Sequence, residues 1–167
     1  METHAVPLLY HGQTMQLAVT RDITERRQSD ITLAQTNLRM AALIESIPDA
    51  LFFKDGEDRL LITNEPAKQL FQLHAIAWEG RTDLELAEVN PAHREAHLAC
   101  TQADEIAWQG CSMGLFLETV TDDAGHQHRF EVRKVPLFDE QGKRQALVVI
   151  GRDITVRKQA EEELRIA

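Results

Sequence analysis

The sequence predicts an α+β fold in which helices cross one face of an antiparallel sheet. Two observations lead there. Two short strand patterns near residue 50 are followed by a block of helix signals, and three consecutive strand patterns close the chain. An element near the start also recurs near the end, which fixes where the domain sits.

The repeat is specific. Val6-Pro7-Leu8-Leu9 with Gly12 returns as Val135-Pro136-Leu137-Phe138 with Gly142, and Arg21-Asp22-Ile23-Thr24 returns as Arg152-Asp153-Ile154-Thr155. Each copy reads as a strand, a polar Gly-containing turn, a second strand and a charged helical stretch. Residues 1–23 are therefore expected to be the terminal hairpin of a preceding repeat. An isolated hairpin is marginal in water, so this piece is expected either to be poorly ordered or to pair with another chain's sheet edge.

Residues 24–46 contain neither Gly nor Pro. Ile31, Ala34, Leu38 and Ala41 lie at heptad-like spacing, and Leu33, Met40 and Ile47 form a second stripe. This predicts a linker helix with one stripe on the domain and the other on a partner helix, hence a homodimer through residues 24–46.

The domain itself is expected over 47–155. Ala50-Leu51-Phe52-Phe53-Lys54 and Arg59-Leu60-Leu61-Ile62-Thr63 flank the turn Asp55-Gly56-Glu57-Asp58 as two strands. Asn64 is a good N-cap and Pro66 suits a first helical turn, so a short helix runs to about Leu73. Asp83 to Val89 reads as another. Asn90-Pro91 then caps a longer helix that Gly110 closes at C′. Strands over 111–121, 128–138 and 144–154 follow, and the start of an output linker helix occupies 156–167.

Composition excludes several functions. A net charge of −9 with scattered basic residues argues against a nucleic-acid surface. No apolar run approaches the length needed to span a membrane, and the N-terminus lacks a secretory pattern, so the fragment is expected in the cytoplasm without membrane contact. Cys100 and Cys111 have neither Cys-x-x-Cys nor zinc spacing and read as reduced core thiols. No phosphate-binding Gly loop, Gly-x-Ser-x-Gly elbow or His-Glu-x-x-His helix is present, so no catalytic residue is assigned.

The element order, Ile47-Pro48-Asp49-Ala50-Leu51-Phe52, the Asp55-Gly56 turn, Asn64, Gly80-Arg81-Thr82-Asp83 and the closing Gly151-Arg152-Asp153-Ile154-Thr155 together resemble a PAS domain over about residues 40–157. The resemblance implies a five-stranded sheet in order 2-1-5-4-3 enclosing a small cavity. It further implies a sensory and signal-relay role that detects a small molecule and passes a conformational change through the C-terminal helix to an attached output domain. The parent protein would be a diguanylate cyclase, a phosphodiesterase or a histidine kinase. A ligand-free dimerisation and relay module is the alternative.

Arg152, Asp153 and Thr155 are the relay candidates, since Asp153 and Thr155 can cap the exit helix. His97 resembles the haem ligand of PAS oxygen sensors, although with His93 it reads more simply as part of a solvated helix face. No cofactor is the leading expectation and haem the minority one. Lys134 shares the cavity side of its strand with Val132 and Phe130. It reads first as a surface or strand-end lysine, and otherwise as a partner of Asp83 or of an anionic ligand. Trp108 and Phe116 are candidate cavity walls.

Overall fold

A computed structural model describes residues 2–122 and 124–166. The chain divides into two units, residues 1–43 and 44–167. Strands β1 (Glu2–Tyr10) and β2 (Gln13–Arg21) form a two-stranded ribbon. Its turn uses left-handed His11 and Gly12, as two-residue hairpin turns require. Helix α1 (Thr24–Ser46) follows.

The second unit runs β3 (Ala50–Asp55), β4 (Leu60–Thr63), α2 (Glu65–Leu70), α3 (Asp83–Val89), α4 (Arg94–Gly110), β5 (Gly114–Thr121), β6 (Gln127–Phe138), β7 (Arg144–Asp153) and α5 (Thr155–Ile166). Five strands form an antiparallel sheet in the order β4-β3-β7-β6-β5, the arrangement the resemblance implies.

The repeat seen in the sequence extends to register. Val6↔Leu17, Pro7↔Gln16 and Leu8↔Met15 in the ribbon correspond pair for pair to Val135↔Val148, Pro136↔Leu147 and Leu137↔Ala146. The capping chemistry repeats as well. Asp22 Oδ1 accepts from the Thr24 amide and hydroxyl, as Asp153 Oδ1 does from those of Thr155. The ribbon pairs with itself along its length.

Period-two alternation decides what the sheet buries. Phe52 and Lys54 of β3, Phe116, Glu118 and Val120 of β5, Phe130, Val132 and Lys134 of β6, and Leu147 and Val149 of β7 turn toward the helices, where Leu86, Ala107 and Trp108 complete the core. Asn64 caps α2 as expected, its carboxamide oxygen accepting from the Ala67 amide.

Local expectations fail at four points. The 65–73 helix ends at Leu70, because Gln72 turns left-handed and starts a separate 3-10 turn at Leu73–Ala75. Asn90 makes no side-chain cap; its amide donates instead to the Phe71 carbonyl, and a 3-10 turn at Pro91–His93 precedes α4. Gly110 stays inside α4, and Cys111 takes the left-handed position with φ 52°. The strand predicted from 111 begins at Gly114. In α1, Ile31, Leu33, Leu38 and Met40 are exposed.

Candidate functional site

The sheet and helices α2, α3 and α4 enclose a cavity of about 40 Å³ lined mostly by Phe, Leu and Val side chains. There six ionisable side chains meet in an interior where charge is expensive without partners. The Lys54 ammonium is held by Asp83 and Asp104. Lys134 Nζ lies 2.7 Å from Asp104 Oδ1 and 3.0 Å from Glu118 Oε1. His97 Nδ1 lies 2.7 Å from Asp83 Oδ1. Asp104 thus bridges the two lysines, and Asp83 joins Lys54 to His97.

Burial alone would raise the Asp83 carboxyl, but the adjoining Lys54 charge and the His97 hydrogen bond overcome it and hold Asp83 at about 2. Burial likewise opposes charge on both lysines, and their carboxylate partners reverse it, so both are pushed above the ordinary lysine value. The Cys100 thiol, on the cavity wall, is raised well above its usual value by burial, which makes it a poor nucleophile.

These positions correct several sequence readings. Lys134 is not a surface lysine, being 1% exposed, and its partners are Asp104 and Glu118 rather than Asp83. His97 is not on a solvated face; it is 2% exposed and packs 4.9 Å from the Phe71 ring. Neither Trp108 nor Phe116 lines the cavity. Trp108 donates to Asp58 Oδ1 at 2.8 Å and packs edge-on against Phe138, while Phe116 lies under the Lys134 ammonium.

Haem does not fit this site. The orientation of Asn90 is set by its donation to the Phe71 carbonyl, and the same amide nitrogen lies 3.4 Å from His97 Nε2. With Asp83 on Nδ1, both ring nitrogens of His97 are engaged. The cavity has about the volume of one liquid water molecule.

Lys54, Asp104 and Glu118 went unnoticed in the sequence, yet each carries a positional signal. Lys54 alternates with Ala50 and Phe52, and Glu118 with Phe116 and Val120. Asp104 falls seven positions after His97, on the stripe that also holds Cys100, Ala107 and Trp108.

The relay candidates meet at the end of β7. Asp153 Oδ1 accepts the Thr155 amide at 2.8 Å, and Thr155 Oγ1 accepts the Arg129 amide at 2.8 Å. The cap therefore ties α5 to both β7 and β6. Arg152 pairs with Asp49 at 3.0 Å, joining the strand end to the start of β3.

Residues 44–159 match the family described as PAS fold. The chain belongs to that family. It is 28% identical over 131 residues to the aerobic respiration control sensor protein ArcB of Escherichia coli, covering 77% of this chain and 16% of ArcB. It is also 28% identical over 134 residues to the methanogenesis regulatory histidine kinase FilI of Methanothrix harundinacea, covering 79% of this chain and 14% of FilI. The chain thus spans about one-sixth of the length of these relatives. The PAS domain of an HTR-like protein from Haloarcula marismortui superposes with a TM-score of 0.51 at 19% identity, covering 77% of this chain and 99% of that one. A PAS domain of the kind carried by sensor kinases is consistent with a sensory relay role. Among the described residues no helix is long and apolar enough to cross a membrane.

Proposed function

We propose that this chain is a cytoplasmic sensory and signal-relay module: the interior cavity detects a small ligand, and β7 passes the change to α5 and an attached output domain. One observation carries the reading. Val149 and Gly151 of β7 line the cavity, and the same strand ends on Asp153, the residue that caps α5. A shift of β7 caused inside the cavity therefore acts directly on the cap. The relatives favour a histidine kinase as the output. Residues 1–23 serve as the terminal hairpin of a preceding repeat, 24–46 as a dimerising linker, 47–155 as the sensor and 156–167 as the output linker.

A ligand-free relay is the second reading, supported by the cavity volume of about 40 Å³ and by the internal pairing of its charges. Two measurements separate the readings. Native mass spectrometry of the chain purified from cells shows added mass over 19.0 kDa if a ligand is retained, and the bare mass under the second reading. The cavity-filling Cys100→Met change, made on α4, tests the relay common to both. It is expected to shift the Asp153 and Thr155 amide resonances across the domain, and perturbation confined to residues around α4 would sink the relay itself.

A further inference from the structure

Another histidine, His128, stands outside the cavity, at the junction. His128 Nε2 lies 3.2 Å from Asp122 Oδ2, and its Nδ1 lies 3.2 Å from Asp153 Oδ2. Both neighbours are carboxylates. Ionised carboxylates only accept, whereas a neutral imidazole has one N–H and one lone pair. In either neutral tautomer, then, one nitrogen lone pair of His128 faces a carboxylate oxygen. Only the protonated ring donates to both. His97 differs, because one of its nitrogens meets a carboxylate and the other an amide donor.

We infer that the signalling junction is itself a proton sensor: protonated His128 clamps the turn after β5 to the carboxylate that caps α5, and neutral His128 releases it. This is a second input, independent of whether the cavity takes a ligand. It acts on the oxygen of Asp153 that the cap leaves over, since Oδ1 serves Thr155 and Oδ2 serves His128.

Among the described residues, these groups face His128 from the neighbouring elements. Asp122 follows β5, Asp153 ends β7, and His126 shares Asp122 Oδ2 at 3.3 Å. His93 lines the same outer cleft from its 3-10 turn. Arg129 turns away to Glu162 at 2.7 Å. The hydrogen bonds to Asp122 and then Asp153 raise the His128 pKa above the ordinary histidine value. Asp122 is held at about 2, chiefly by the His126 amide. At Asp153 burial pulls upward, but the Thr155 and His128 hydrogen bonds keep it below the usual carboxylate range. The carboxylates thus stay charged while the imidazole titrates. The clamp is complete below about pH 6.5 and is lost as pH rises through the elevated His128 value.

The test is a heteronuclear NMR titration of the full chain from about pH 5 to pH 9. The His128 ring is expected to titrate above about 6.5, with the Thr155 amide following at the same midpoint. Asp122→Asn should lower that midpoint. His128→Gln should abolish the inflection at Thr155, and His126→Gln should leave it in place. A His128 midpoint at or below the ordinary value, or a Thr155 inflection that persists in His128→Gln, overturns the inference.

Discussion

Asp104 shows how much of the interior depends on one side chain. It is 1% exposed and contacts both buried lysines, one through each carboxylate oxygen. Removing one partner from a buried ion pair leaves an uncompensated charge, a loss of about 3–5 kcal/mol, whereas exchanging the whole set for apolar groups can be neutral. Asp104→Ala removes one carboxylate from each lysine but leaves Lys54 with Asp83 and Lys134 with Glu118, so it is expected to destabilise the domain by about 1–3 kcal/mol in urea unfolding. A loss below about 1 kcal/mol would mean that water already shares these charges.

At the scale of elements, turns and caps decide which strands meet. Gly56 lies in the β3–β4 turn, and a Cβ there would sit 2.2 Å from the Arg144 carbonyl oxygen of β7. The left-handed residue of that turn is Asp58, with φ 61°, so Gly56 is required by close approach and not by its own dihedral. Backbone cannot yield as a flexible side chain can. Gly56→Ala is expected to cost roughly 1–3 kcal/mol in chemical denaturation, and unchanged stability would show that the turn relocates freely. The presence of this turn was legible from Asp55-Gly56, but the reason for its glycine was not, because the neighbour comes from a strand some ninety positions later. The same limit governs the site. Alternation along β6 placed Lys134 on the cavity side, while its partners Asp104 and Glu118 come from α4 and β5, whose docking no local pattern states. Caps such as Asn64 and Asp153 were readable because donor and acceptor lie within three residues. Gly110 misled for a similar reason: a glycine near a helix end predicts a left-handed stop, and the chain placed that conformation one residue later, at Cys111.

For the whole molecule, the two units differ in what they bury. Every residue of the hydrophobic core cluster lies between Leu60 and Val149. In the other unit Val6, Leu8, Leu17, Val19, Ile31, Leu33, Leu38 and Met40 are all more than half exposed. Soluble proteins seldom leave apolar side chains so concentrated without a partner. On α1, Ile31 and Leu38 are one heptad apart with Ala34 and Ala41 between and after them, a pattern that a second copy of the same helix can cover. Leu38, 73% exposed, is the central position of that stripe. Sedimentation velocity at tens of micromolar is expected to find the chain as a dimer, and Leu38→Glu should shift it toward monomer by placing like charges across the seam. The midpoint of thermal unfolding should change little in that variant, because the core cluster does not include Leu38. A monomer at that concentration in the unaltered chain would remove α1 as the dimerising element and leave its exposed stripe to a different partner, either the output domain or the preceding repeat to which the ribbon's register points.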